Sequence, residues 1–320
     1  MSLLSSLRSA TPPLVAVEFA STRLTAARVE RRSGRASIAA HATEPLPDGA
    51  IVPSLMTANI HDRAAVIGAL GRLFDRLGGR PRRIGLVIPD PVAKVSLVRF
   101  EQVPARRQDL DQLVRWQVKK TAPFSLDDAQ LSYLPAARHS DGQDFVVSIA
   151  RRDIVAGYEN VCAEVGAYAG IVDLATFNVI NAVLAGVQPP AGDWLMINVA
   201  ADYASIAILR GEHLIFFRNR TSDTDGALED LVHQTAMYYE DRLGGGEFER
   251  VLLAGAAGGG APAAEVERLR RSVEERLART VENVDPRSAA ALTDRISAAP
   301  ALLDSLAPLV GLLLRGREAA

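Results

Sequence analysis

WLMINVAADYASIAILRGEHLIFF, Trp194 to Phe217, reads as three strands joined by two tight turns. Leu195, Met196, Ile197 and Val199 form a nearly unbroken apolar run, as expected of a strand covered on both faces. Arg210-Gly211-Glu212 is a short polar break with a glycine, the mark of a hairpin. The pattern has a counterpart near the start of the chain, LVAVEFASTRLTAARVERRSGRASIAA, Leu14 to Ala40. When the two are laid over each other, Glu18 meets Asn198, Ala20 meets Ala200, and Arg32-Ser33-Gly34 falls near Arg210-Gly211. A strand–hairpin–strand unit used twice predicts an internally duplicated α/β fold.

The rest of the chain fits two lobes. At 320 residues it is long enough for two cores. Its 48% apolar and 23% charged residues are those of an ordinary globular protein. Helices are expected after His61-Asp62, ending at Gly78-Gly79, and over Leu110 to Val118, stopped by Pro123. Trp116 lies off the apolar stripe of the second helix and is expected to point at a neighbouring subdomain. Further helices are expected over Asp153 to Val165, Ala175 to Ala185, Leu228 to Leu243, Ala263 to Leu277 and Pro300 to Arg315. QPPAGD, Gln188 to Asp193, is the hinge, and TVENVDP is a last edge strand.

Composition excludes several functions. A net charge of −2 gives no general attraction to nucleic acid or anionic lipid, and the basic pairs Arg106-Arg107, Lys119-Lys120 and Arg151-Arg152 are not interleaved with stacking aromatics. Cys162, the only cysteine, sits in an apolar helical pattern and reads as a core residue. The histidines are scattered without metal-ligand spacing. No stretch approaches the ~18 apolar residues of a membrane span. The best candidate, Leu302 to Leu314, is broken by Asp304, Ser305, Pro308 and Gly311. MSLLSSLRSATPP reads as a frayed end rather than a signal peptide. A cytoplasmic location is expected, with any membrane work passing through a partner.

A pair of hairpin-led lobes resembles the plan of the actin-like ATPase superfamily. Within it, the chain is similar to the PilM family of type IV pilus assembly proteins, related to FtsA and to the cytoplasmic part of GspL. The most specific match is LVRWQVKKTAPF, Leu113 to Phe124, with Trp116 followed seven residues later by Pro123-Phe124. SIARRDIVAGYENVCAEVGAYAGIVDLATFNVINAV and the closing PALLDSLAPLVGLLLRG agree with it. The resemblance implies a duplicated actin-like (ribonuclease H-like) fold. It places a first lobe at about 14–187, with a small subdomain inserted at about 100–148, and a second lobe at 188–315. It also implies a cytoplasmic scaffold of the inner-membrane assembly platform. Such a scaffold binds the N-terminal cytoplasmic peptide of a PilN-like bitopic membrane protein and connects to motor and platform proteins. Trp116, Pro123 and Phe124 would then help line the peptide site.

The resemblance further implies a nucleotide cleft, built from Glu18, Ser21, Thr22, Asn198, Asp202, Gly255 and Gly258. Phosphate turns of this superfamily resemble Asp-hydrophobic-Gly-(Ser/Thr/Ala), and both turns here depart from that. Ala20 and Ala200 stand where glycine would let backbone amides approach phosphate. Asn198 has no charge to offer a metal ion, Glu18 reaches a methylene further than Asp, and Asp202 adds negative charge. Gly255-Ala256-Ala257-Gly258 replaces a run of glycines. The expectation is a degenerate cleft with no catalytic residues, no metal and no required cofactor. The alternative is an ATP- and Mg²⁺-binding switch or weak ATPase, in the same machine or in a type II secretion platform. A small-molecule kinase of the superfamily is a third class, against which stands the lack of an Asp in a recognisable substrate-activating motif.

Overall fold

A computed structural model describes residues 13–32, 35–186, 190–222, 228–258, 262–293 and 299–315. Most of the N-terminal segment, the Ser33-Gly34 turn and the Gln188-Pro189 part of the hinge lie outside the described residues. The chain opens with β1 (Val15–Phe19), β2 (Arg23–Arg32) and β3 (Arg35–Pro45), then α1 (Arg63–Arg76), β4 (Arg83–Ile88) and β5 (Ala93–Phe100). It continues through α2 (Arg107–Lys119), β6 (Ala129–His139), β7 (Gly142–Arg151), α3 (Arg152–Glu164), β8 (Tyr168–Leu174) and α4 (Ala175–Gly186). The second half holds β9 (Asp193–Val199), β10 (Tyr203–Arg210), β11 (His213–Thr221), α5 (Leu228–Leu243) and β12 (Arg250–Ala254). It closes with α6 (Ala263–Leu277), β13 (Val281–Asn283), β14 (Ala291–Leu292) and α7 (Pro300–Leu314).

These strands form three sheets. A six-stranded sheet has the order β14-β3-β2-β1-β4-β8, a five-stranded one β11-β10-β9-β12-β13, and a three-stranded one β5-β7-β6. The two larger sheets share one logic. β1 pairs antiparallel with β2 and parallel with β4, while β9 pairs antiparallel with β10 and parallel with β12. Each hairpin-led unit is thus extended by a parallel crossover strand, the duplication that the paired motifs predict. β9 and β10 are buried along almost their whole length, which accounts for their unbroken apolar runs.

Local sequence explains the helix limits. The Asp62 carboxylate accepts the Ala65 amide at 2.9 Å and caps α1, which ends at Gly78 and Gly79 with positive φ values of 83° and 145°. α7 is apolar all round, with Leu306 to Leu314 entirely buried. Such a helix must be enclosed. It lies on the first sheet, where Leu306, Leu309, Val310 and Leu312 pack with Ala16, Ala27, Val29 and Val87. A Cβ on its Gly311 would stand 1.7 Å from the Asn178 carbonyl oxygen, so glycine permits the close crossing of α7 and α4. β14 pairs with β3 as well. The chain after the second-lobe strands therefore returns to the first lobe, an edge strand and a helix that the two-lobe expectation at 188–315 does not separate.

The three-stranded sheet runs from Ala93 to Arg151, with α2 on one face. Leu110, Val114 and Val118 pack there on Phe145, Val147 and Ile149. Trp116 differs from expectation. It does not meet a neighbouring subdomain but stands 61% exposed, with the Lys120 ammonium 5.6 Å from its ring centre. Its position opposite the apolar stripe explains this, because the stripe is already committed to the sheet.

Candidate functional site

The two hairpin turns meet across the lobes. In the first, the Ala20 amide donates to the Arg23 carbonyl at 3.0 Å, and in the second the Ala200 amide donates to the Tyr203 carbonyl at 2.8 Å. The turns are the same local structure, and each spends internally an amide that would otherwise be free to face an anion. Burial raises the Asp202 pKa and the nearby Ser21 hydroxyl opposes that rise, so the tips of the two turns are neighbours, while Thr22 is exposed. Gly255 follows β12 with φ of 80°, and a Cβ there would lie 2.3 Å from the Val199 carbonyl oxygen. Only glycine fits that turn. Glu18, Thr22, Asn198, Asp202 and Gly255 line one small cleft between the lobes.

Behind the cleft lies a buried network that sequence reasoning missed. Asp90, in the 3-10 turn Asp90–Val92, is fully buried. Its Oδ1 accepts the Thr176 amide at 3.0 Å. Its Oδ2 accepts the hydroxyls of Thr176 and, at 2.5 Å, of Ser205. The Asn198 amide group donates to Thr176 Oγ1 at 2.9 Å, which completes the chain. Asp90 belongs to the first lobe and Ser205 and Asn198 to the second, so the network ties the lobes. Burial raises the Asp90 pKa above the usual carboxylate range, and the hydrogen bonds from Ser205 and Thr176 oppose that rise. In the sequence Asp90 is only an acid that follows the apolar strand IGLVIP, which by itself gives no sign of these partners.

Asn198 gains a reason here. An Asp at this position could not donate to Thr176 and would bring a second negative charge toward Asp90.

Acidic groups dominate the rest of the cleft. The Glu18 Oε2 atom is shielded from solvent and, among the described residues, has no hydrogen-bond partner. Burial pushes its pKa up to about 7, Arg23 lowers it, and Asp90 and Asp304 raise it further. The Arg23 Nε is likewise buried and without a hydrogen-bond partner among the described residues. Asp304, from α7, accepts the amides of Ala257 at 2.8 Å and Gly258 at 3.3 Å, and burial raises its pKa. Tyr203 titrates far above its ordinary value, through burial first and then the negative charges of Asp90 and Glu18.

The cleft where the resemblance would place a nucleotide is narrow and acidic in this structure. The cleft encloses about 40 Å³. Pockets for small molecules and cofactors start at roughly 300 Å³. Glu18, Asp202 and Asp304 face it, with Arg23 as the cation among its lining residues. Among the described residues, no group of His, Cys, Asp and Glu has metal-binding geometry.

A second concavity is far larger, about 540 Å³, and lies between the first lobe and the three-stranded sheet. β8 ends the six-stranded sheet and β6 ends the three-stranded one, and both edges, unpaired among the described residues, border it. Ser132, Leu134, Val146 and Ser148 form its wall on one side, and Ile171, Phe177 and Ile180 on the other. Charges of both signs stand at its margins, among them Arg152, Glu159 and Glu212. Arg315 donates to Asp173 at 2.6 Å within it and fixes the end of α7 to β8.

Strand alternation separates this groove from α2. Phe145, Val147 and Ile149 point to the helix, while Val146, Ser148 and Ala150 point to the groove. Trp116, Pro123 and Phe124 are absent from the groove lining. Phe124 is half-buried against the subdomain core, and Pro123 is exposed. The groove is legible in sequence only through the polar–apolar alternation of AQLSYLPAAR, which reads as an ordinary edge strand.

Comparison with known proteins gives this geometry a family. The chain is similar in structure to a PilM-PilN type IV pilus biogenesis complex, with a TM-score of 0.80 at 17% identity, covering 97% of this chain and 100% of that one. A protein with actin-like ATPase fold and unknown function from Bacteroides thetaiotaomicron matches with a TM-score of 0.52 at 8% identity, over 98% of each chain. The cytoplasmic domain of EpsL, an inner membrane component of the type II secretion system of Vibrio cholerae, gives 0.48 at 10% identity, over 75% of this chain and 81% of that one. No curated protein matches the chain. The fold is thus the two-lobed actin-like one that the duplicated hairpins predict. Among the described residues no helix is long and apolar enough to cross a membrane. The family model for type IV pilus assembly protein PilM matches residues 16–242, more than half the chain, and the protein belongs to that family.

Proposed function

We propose that the chain is a scaffold of the type IV pilus inner-membrane assembly platform, which binds the N-terminal cytoplasmic peptide of a PilN-like bitopic membrane protein. The peptide lies in the groove between β8 and β6. The observation that carries this reading is the groove's construction, about 540 Å³ of mixed apolar and polar wall bounded by two unpaired strand edges. An extended peptide gains affinity there from main-chain hydrogen bonds to an edge, and selectivity from alternate side chains entering the wall. No catalytic group is needed. Family membership and the structural likeness to a PilM-PilN complex support the choice of partner. The nucleotide cleft is read as degenerate, because its volume and its acidic lining oppose ATP. The protein works at the cytoplasmic face of the inner membrane, held there through its partner and in contact with motor and platform proteins.

The test is calorimetric titration of the purified chain with a synthetic peptide from the partner's cytoplasmic N-terminus. Saturable binding is expected for the native chain and for Trp116→Ala. Leu134→Glu, at a groove residue that is 37% exposed, is expected to abolish it while the fold is kept. Equal binding by native and Leu134→Glu chains would remove the groove from the account.

A further inference from the structure

We propose that Asp304 is a built-in anion: its carboxylate takes the loop amides that an external oxyanion would need, and this contact holds the cleft shut. The proposal rests on the closed reading of the cleft and is independent of the peptide groove.

The loop after β12 turns at Gly255 and directs successive backbone N–H groups inward. A cluster of amides of this kind is an anion-binding concavity. The anion present is internal. Asp304 accepts from Ala257 and Gly258, and the Gly255 amide also contributes to its environment. The fit is tight, since a Cβ on Gly258 would stand 3.2 Å from Asp304 Cβ and 3.3 Å from Arg23 Nη2. Any oxyanion reaching these amides must displace the carboxylate.

The contact also joins the lobes. The loop extends from the second-lobe strand β12, whereas α7, which carries Asp304, lies on the first-lobe sheet. Asp90 makes a comparable tie between the lobes to Ser205. The Oε2 of Glu18, which feels the charges of both Asp90 and Asp304, is shielded, as is Arg23 Nε, and among the described residues neither atom has a hydrogen-bond partner. Unpartnered buried polar atoms are costly. The ties at Asp90 and Asp304 hold the lobes together around these atoms despite that cost. The cleft is therefore latched, and the latch mimics a ligand.

The experiment compares the full chain with Asp304→Ala and Asp304→Asn. Two quantities are read: amide hydrogen exchange at Ala257 and Gly258, and calorimetric binding of inorganic pyrophosphate. In the native chain both amides are expected to be protected and pyrophosphate not to bind. In Asp304→Ala, exchange is expected to rise at least about tenfold, as loss of a charge-assisted hydrogen bond implies. Pyrophosphate should then bind and restore protection. Asp304→Asn keeps the shape and one acceptor, and is expected to show an intermediate rise. It carries the test with the same two readouts if the alanine variant does not fold. Unchanged exchange in the variants would overturn the latch. So would equal pyrophosphate binding by native and variant chains, or faster exchange with no gain of pyrophosphate binding.

Discussion

Ser205 on β10 donates its hydroxyl to Asp90 Oδ2 at 2.5 Å, across the boundary between the lobes and with both residues fully buried. A hydrogen bond to a charged group in such a place contributes about 1.5–3 kcal/mol. Ser205→Ala is expected to lower stability by about 2 kcal/mol in urea denaturation. Asp90→Ala should cost more, because it leaves the Thr176 and Ser205 hydroxyls and the Thr176 amide without their acceptor.

Asn198→Asp restores the acid found in related phosphate turns, yet is expected to harm this protein. It removes the donor to Thr176 and places a carboxylate near Asp90. A loss of about 2 kcal/mol is expected at neutral pH, measured in the same denaturation assay and shrinking in acid as the new carboxylate is protonated.

Glu18 makes stability depend on pH in a defined direction. Its folded pKa of about 7 lies above the ordinary value of 4.5, so folding takes up a proton there. The stabilising contribution is full below about 4.5 and is lost as pH rises through about 7. The span corresponds to roughly 3 kcal/mol. Glu18→Gln should be more stable than the native chain at pH 8, and should flatten the profile of denaturation midpoint against pH over this window.

Gly311→Ala would force a methyl group toward the Asn178 carbonyl, which allows no side chain. A cost of about 2 kcal/mol or more is expected from displacement of α7 against α4, and thermal denaturation reads it. Trp116→Ala should change stability by only about 0.5 kcal/mol, since its ring is largely in solvent.

How much of this was legible depends on whether the cause is local. The two hairpins are legible because one apolar pattern recurs with Glu18 over Asn198 and Ala20 over Ala200, and the equivalent turn bonds of Ala20 and Ala200 have the same origin. The α1 limits follow from Asp62 and Gly78-Gly79, which act within one turn. The interlobe ties are not legible. Asp90, Thr176, Ser205 and Asp304 are far apart in the chain, and each alone reads as a solvated polar residue. Asp304 even reads as a mere interruption of an apolar run, yet it meets the loop at Ala257 and Gly258. Trp116 departs only from the expected contact with a neighbouring subdomain, because its place on the outer side of α2 leaves the ring largely in solvent.

Hydrogen exchange of the chain with and without the partner's N-terminal peptide tests the central claim most directly. Occupation of the groove predicts new protection along β8, Tyr168–Leu174, and β6, Ala129–His139, with α2 unchanged. Protection confined to α2, or to the cleft around Glu18 and Asn198, would contradict it.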